Sequence, residues 1–491
     1  MDPVTILLSI VVILFFVKIY YYDSQHKWKN YPPGPTPLPI IGNLQIIDPA
    51  KPQNALIKLA EEYGTVFSIQ LGQEKMVVLC GYDTVKDALI NHAEEFSDRP
   101  HAPQYDRTSQ GHGIIFSHGE NWKIMRRFTL SALKDFGMGK KSLEGKIIEE
   151  VECLIQEFRS LKGKPFENHA MINAAVANII ISIMLDRRYE YDDPTILKRL
   201  YIINETVTCF NSTMVKLYNS FPLIFDLIPG IHHKIFENVK TMKEFVRETF
   251  TKQKQELDLN DQRNFIDVFL AKQLEGKPES NLYFHTDNLI EVVIDLFAAG
   301  IETTNTTLRW GLLLMLKYPE IQKRVQDEID RVIGSAQPQF EHRKQMPYTE
   351  AVIHEIQRFG DVVPLNLPHA TATDVTFRGY TIPKGTMVIP LLSSVLRDKA
   401  FFQKPDEFYP EHFLDSEGNF KKNEAFIPFS LGKRGCIGEN LGKMKLFLFF
   451  TLLLQTFTFN APPGAELDLT PALGFTNAPL PYEICAIPRL F

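Results

Sequence analysis

Cysteine is scarce in this chain of 491 residues: there are five, an odd number, and no two form a CxxC pair. That excludes a disulfide-framed scaffold and leaves a structural zinc site without its usual ligands. A basic excess is missing too, since 53 Lys and Arg stand against 59 Asp and Glu, a net charge of −6. Nucleic acid is therefore not an expected partner. No GxGxxG links a strand to a helix, and the nearest approach, Gly111-His112-Gly113, lacks its third glycine. No phosphate-binding P-loop is present either. The chain thus has no visible nicotinamide, flavin or nucleotide site, and any reducing equivalents must arrive from outside. Long apolar runs are absent after the first 22 residues. Disorder is excluded, because 44% of the residues are hydrophobic. A chain of this length can enclose a cofactor completely.

What is present begins at the start of the chain. Val4–Val17 is uninterruptedly apolar apart from Thr5 and Ser9, and Ile19 to Tyr22 extend the run past Lys18. The roughly 20 residues needed to span a bilayer are just reached. Asp2 precedes the run, and Lys18, Lys27 and Lys29 follow it. That polarity predicts an uncleaved single-pass anchor over residues 1–22 with the remainder on the cytoplasmic face. Residues 23–40 are polar and then proline-rich (Pro32-Pro33-Gly34-Pro35), which predicts a stiff extended hinge. Residues 41–491 are expected to form a single domain, mainly α with a smaller β-rich lobe (α+β). Strands are predicted over Val66–Leu79, turning at Gly72-Gln73, and over Val375–Ile389. The longest helical pattern, Asp287–Lys317, should measure about 46 Å and be buried nearly all round.

The most specific segment is Phe429-Ser-Leu-Gly432-Lys-Arg434-Gly435-Cys436-Ile-Gly438. It places a cysteine in a glycine-rich loop just before a helical run. Glycines let backbone approach a flat ligand. A cysteine at a helix N-terminus, beside Lys433 and Arg434, has its thiolate favoured, and a thiolate is a soft metal ligand. A buried free cysteine with no chemistry is the ordinary alternative, and it is the reading for Cys80, Cys153, Cys209 and Cys485.

This segment resembles the haem-thiolate loop of the cytochrome P-450 family, Phe-x-x-Gly-x-Arg-x-Cys-x-Gly, at every fixed position. The resemblance implies the fold of that family, with haem b buried between the long central helix and the loop, and Cys436 as axial ligand to its iron. It extends over essentially the whole chain. Phe136-Gly-Met-Gly139-Lys, Met346-Pro-Tyr-Thr349 and Asn419-Phe-Lys-Lys422 place it nearest the C-like subfamily of vertebrate microsomal family 2. Ala299-Gly300-Ile301-Glu302-Thr303-Thr304 resembles the family's oxygen groove, which implies that Glu302 and Thr303 relay protons to the oxygen being reduced. Ile301 departs from the frequent threonine and is expected to reshape the pocket. Trp122-x-x-x-Arg126, Arg99, His369 and Arg434 match the residues that hold the haem propionates. Glu355 and Arg358 match a structural Glu-x-x-Arg pair. Its third member is an arginine in the family and His412 here, so a permanent bidentate donor is in doubt at that point.

By the same resemblance, an apolar substrate pocket is implied at Ile114, Ile115, Phe116, Phe297, Ala298, Val362, Val363, Leu365 and Phe475. The implied activity is NADPH-driven, O2-dependent oxygenation of a lipophilic small molecule. Electrons would come from a membrane-bound NADPH-cytochrome reductase carrying the flavin, with cytochrome b5 as helper, at the endoplasmic reticulum. Lys123, Arg126, Arg127, Lys134, Lys140 and Lys141, with Lys421, Lys422, Lys433, Lys443 and Lys445, are expected to form its docking face. Phe221–Ile231 is expected to dip into the bilayer. A haem-thiolate isomerase or dehydratase and a non-catalytic haem carrier remain alternatives. NADPH dependence separates the first from a monooxygenase, and product formation separates the second.

Overall fold

The computed structural model describes residues 29–48, 51–136, 141–210, 212–277, 282–472 and 474–489, together with 3, 5 and 7–15. Residues 7–15 are helical with exposed side chains. The rest of the expected anchor and residues 23–28 lie outside the described residues, as do 137–140 of the Phe136–Lys140 segment. No helix among the described residues is long and apolar enough to cross a membrane.

The β-rich lobe forms where the sequence alternates. β1 (Val66–Leu71) and β2 (Glu74–Leu79) pair antiparallel about Gly72-Gln73, with Leu71 opposite Glu74. Gly72 has φ +61°, which the tight turn requires. The sheet is completed by β7 (Met387–Pro390), parallel to β2, and β4 (His369–Ala370), antiparallel to β7. Between these last two, β5 (Val375–Phe377) and β6 (Tyr380–Ile382) make a separate hairpin over Arg378-Gly379. The predicted strand region thus divides between two sheets. A third sheet takes β3 (Phe166–Glu167), β9 (Glu483–Pro488) and β8 (Phe457–Asn460), in that order.

The proline-rich segment is extended and non-helical, as proline demands. It does not stand free as a spacer. Ser68 donates through its amide to Pro33 O at 2.7 Å and through Oγ to Pro32 O at 2.8 Å, so the segment lies along the outer edge of β1. A Cβ on Gly34 would fall 1.9 Å from the Ser68 carbonyl oxygen, so only glycine allows this approach.

Five helices position the site: α1 (Gly119–Asp135), α2 (His169–Leu185), α3 (Thr286–Lys317), α4 (Pro347–Gly360) and α5 (Glu439–Thr456). At 32 residues α3 is about 48 Å long. It is buried along most of its length with α2, apolar on nearly every side, packed against it. Below them α5 contributes Leu446 to Leu454 to the same core.

Candidate active site

The cysteine loop is held in conformations few side chains tolerate. Ser430 and Gly432 have φ of +59° and +71°. A Cβ on Gly432 would lie 2.0 Å from the Leu89 carbonyl oxygen, so glycine is required there. The Cys436 amide donates to Phe429 O at 2.9 Å, and α5 begins three residues on. Cys436 sits deep in the protein yet is exposed onto an internal cavity. By contrast, Cys80 is buried away from this cavity and its thiol is pushed up to about 12 by burial.

Burial also pushes the Cys436 thiol up, opposed by the Gly438 amide and by the charges of Arg126 and Lys445. The expectation that Lys433 and Arg434 favour the thiolate is corrected. Lys433 is exposed and pairs with Glu94. Arg434 turns away, donating to Ser97 O at 2.7 Å and Ser117 O at 2.8 Å. The sulfur is therefore a masked ligand whose proton a metal ion would displace.

The cavity volume is about 270 Å3, at the small end of the roughly 300–1,000 Å3 of an ordinary ligand pocket. The loop residues Phe429, Arg434, Gly435, Cys436 and Gly438 form one wall; Gly432 shapes the loop without lining it. The facing wall is the middle of α3, where Ala299, Gly300 and Thr303 face inward. Ala299 is exposed within an otherwise buried stretch of helix because it looks onto the cavity. The Gly300 Cβ direction points at Ile180 of α2, 2.7 Å from its Cδ1, so close helix packing is a second reason for this glycine.

Thr303 Oγ1 donates to Ala299 O at 2.8 Å. Glu302, one residue back, lies outside the lining. Its Oε1 accepts from Thr306 Oγ1 at 3.1 Å and Thr476 Oγ1 at 3.0 Å. The acid and the alcohol are thus neighbours in sequence on different flanks of the helix. Ile301 is 1% exposed in the main core and does not itself line the cavity.

One end of the cavity carries a concentration of cationic groups. Arg99, Arg126 and Arg434 all line it. None pairs with a carboxylate among the described residues. Arg99 donates to Ile115 O and Pro368 O, and Arg126 to Gly435 O at 2.6 Å. Burial lowers Arg99 to about 10, with Arg126 adding to the effect, and lowers Arg434 to about 8, with Arg99 and then Arg126 adding to it. The Arg434 guanidinium lies 3.7 Å from the centre of the Trp122 ring. Trp122 Nε1 and Arg434 Nη1 are buried donors without an acceptor. His369 is neutral, held down to about 3 by burial and then by Arg99, while its Nδ1 meets Phe96 O at 2.7 Å. Unpaired buried donors and cations are costly. A ligand bearing carboxylates satisfies them, and the two propionates of haem fit this donor set.

Of the residues expected to surround substrate, Ile114, Ile115, Val362 and Val363 line the cavity. Phe116, Phe297, Ala298, Leu365 and Phe475 do not. Phe116 stacks on Tyr105 at 3.7 Å, Phe297 is core, and Leu365 packs under the β1–β2 sheet. Asp295 is one of the lining residues that were not anticipated. It is 7% exposed and accepts the amides of Ile114 at 2.7 Å and Ile115 at 3.0 Å. Burial and then Glu291 raise its carboxyl to about 8. Gly113 admits this approach, since its Cβ would lie 2.4 Å from Asp295 Oδ2. The signal in the sequence is an acid inside an apolar helix, two turns before Glu302.

The cytochrome P450 family model matches residues 32–486. The chain belongs to the cytochrome P450 family. Cytochrome P450 2K1 of Oncorhynchus mykiss is 47% identical over 486 residues, covering 97% of this chain and 96% of that protein. Cytochrome P450 2C5 of Oryctolagus cuniculus is 46% identical over 491 residues, covering 99% and 100%. Cytochrome P450 2G1 of Oryctolagus cuniculus is 44% identical over 461 residues. These names spread over several subfamilies, so the kinship is to vertebrate family 2 as a whole. As a cytochrome P450 the protein is a haem-thiolate monooxygenase that uses O2 and a redox partner on lipophilic substrates.

Proposed function

We propose that this cytochrome P450 is a microsomal enzyme that hydroxylates or epoxidises lipophilic compounds such as foreign molecules, fatty acids or steroids. Electrons pass from NADPH through a flavoprotein reductase, with cytochrome b5 as auxiliary. The observation that carries this reading is the opposition, across one cavity, of a masked thiol and the inward face of α3, beside a cluster of unpaired cations. Haem bound there supplies activation of O2, so that one oxygen atom enters substrate and the other leaves as water. Cys436 would supply the thiolate that holds it. Arg99, Trp122, Arg126 and Arg434 would hold its propionates, and His369 braces the Phe96 carbonyl beside them. Thr303 presents a hydroxyl at the inward face of α3. Glu302 keeps a carboxylate one residue away, from which protons reach the cavity through water. Ile114, Ile115, Val362 and Val363 exclude water and orient substrate by apolar contact.

Residues 1–22 act as a single-pass anchor in the endoplasmic reticulum membrane, residues 23–40 as connection, and 41–491 as the catalytic domain on the cytoplasmic face. In support, Leu223 and Leu227 are 84% and 86% exposed, on a segment that joins Ser220. Ser220 Oγ meets the Gly72 turn next to Ile40, and Leu38, Ile40 and Ile41 are exposed there. Two apolar segments therefore make one patch suited to entering lipid. The reductase docks on a reduced basic face of Arg127, Lys134, Lys141, Lys421 and Lys422. Lys123, Lys433 and Lys443 are already paired with Glu120, Glu94 and Glu439, Arg126 belongs to the cavity, and Lys445 is buried.

The test is the carbon-monoxide difference spectrum of the reduced protein, with Cys436→Ser beside it. A strongly red-shifted Soret band lost in the variant supports the reading. Turnover of a lipophilic probe that needs both NADPH and reductase completes it. Turnover of a peroxide without either would favour an isomerase or dehydratase.

A further inference from the structure

Lys445 is among the largest fully buried side chains of the protein, 2% exposed, and it lines the cavity. It lies on α5, the helix that follows Cys436. Its ammonium crosses to the opposite wall and donates to Gly300 O of α3 at 2.8 Å. No carboxylate pairs with it among the described residues, and the charge that reaches it is that of the Cys436 sulfur. The influence is mutual, since Lys445 also favours the Cys436 thiolate.

A buried ammonium with one neutral acceptor is an expensive arrangement. A methionine or leucine would fill the same space in this apolar core without that cost. Burial lowers Lys445 to about 7, opposed by the charge of the Cys436 sulfur. An anion beside it would restore the balance, and a metal-bound thiolate is that anion. Gly300 O belongs to the same inward-facing stretch of α3 as Thr303. The ammonium thus bridges the cysteine-side and oxygen-side walls of the cavity.

We infer that Lys445 is a positioning and potential-setting residue. Its ammonium ties α5 to the Gly300 carbonyl of α3 and places a fixed positive charge beside the Cys436 thiolate. That charge stabilises the electron-richer, reduced form of the haem site and so raises its reduction potential. This rests on the haem-thiolate reading of the cavity.

The experiment uses the full chain with haem bound, titrated spectroelectrochemically without substrate, in wild type, Lys445→Gln, Lys445→Met and Lys445→Arg. Lys445→Gln keeps an N–H donor for Gly300 and removes the charge. We expect its ferric–ferrous equilibrium to move at least tenfold toward ferric, which is about 59 mV for one electron. Lys445→Met, which loses the bridge as well as the charge, should move as far. Lys445→Arg should return most of the shift. A Lys445→Gln potential within twofold of wild type in the equilibrium constant overturns the inference and leaves Lys445 a packing residue. If neither neutral variant holds haem, Lys445→Arg decides: recovered haem uptake supports the charge role, and no recovery overturns it. The wild-type carbon-monoxide spectrum separates the two levels. Its failure would sink the haem-thiolate reading, whereas a normal wild type with unshifted variants sinks only the role of Lys445.

Discussion

The ring of His412 stands between Glu355 and the main chain of Lys404. Its Nδ1 lies 3.1 Å from Glu355 Oε2, and the Lys404 amide donates to its Nε2 at 3.2 Å. An N–H aimed at Nε2 requires a lone pair there, so the ring proton sits on Nδ1 and points at the carboxylate. Glu355 meanwhile takes both forks of Arg358 at 2.7 Å and the Tyr409 amide at 2.8 Å, with both charged side chains fully buried. The histidine that departs from the family pattern therefore fills the third place with one hydrogen bond where arginine offers two. His412→Phe keeps the volume and removes the donor. It should cost about 1–3 kcal/mol in denaturant unfolding. Glu355→Gln should cost more, about 3–5 kcal/mol, because it strands Arg358. Equal midpoints for wild type and His412→Phe would remove His412 from the network.

Haem retention should depend on the orphaned donors. Trp122→Phe removes one charge-assisted hydrogen bond, worth about 1.5–3 kcal/mol, so haem transfer to an acceptor protein should rise at least tenfold. Arg434→Leu should be worse, since it also uncovers the Trp122 face. Unchanged transfer in both would place the propionates elsewhere.

Glu302 and Thr303 should separate by the flanks they occupy. Glu302→Gln should lower product formation by about 10²-fold or more if it feeds protons to the cavity. Thr476→Val removes one of the two hydroxyls on that carboxylate, 3.0 Å away, and should lower product per NADPH with a smaller effect. A Thr476→Val enzyme with unaltered coupling and solvent isotope effect would show that the Glu302 hydrogen bonds are only structural.

Asp295 is expected to govern how firmly Ile114 and Ile115 are held. Asp295→Ala leaves two buried amides without acceptors, at about 1–3 kcal/mol each. Asp295→Asn retains an acceptor and should lose less. The readout is thermal unfolding together with the binding spectra of small and large lipophilic probes. Discrimination between the probes should relax in Asp295→Ala.

Acid sensitivity has an identifiable contributor in His354. Its ring is buried among Phe413, Phe420 and Phe426, and burial lowers it from 6.5 to about 4. Between those values the unfolded chain binds a proton that the folded one refuses, so stability falls as pH falls from 6.5 toward 4. The full loss is roughly 3 kcal/mol at 1.36 kcal/mol per unit. His354→Phe should flatten this part of the curve of unfolding free energy against pH. A slope identical to wild type would exclude His354.

Local chemistry was legible in the sequence wherever spacing along the chain is itself the constraint. The cysteine loop, the i,i+3 pair Glu355/Arg358, the Gly72 hairpin and the long α3 all depend on neighbours in sequence, so composition and period determine them. Tertiary packing decided what depends on direction. It turned Lys433 and Arg434 away from the sulfur they adjoin, set Glu302 and Thr303 on different flanks, and laid the proline-rich segment along β1. It also chose which apolar residues see the cavity, because Phe297 and Val363 are equally hydrophobic and differ only in the side of the fold they face. Asp295 and Lys445 show the same division. Each is one charge in an apolar helix when read along the chain, and only the fold brings Asp295 to the Ile114 amide and Lys445 to the Gly300 carbonyl, across sequence separations that no periodicity encodes.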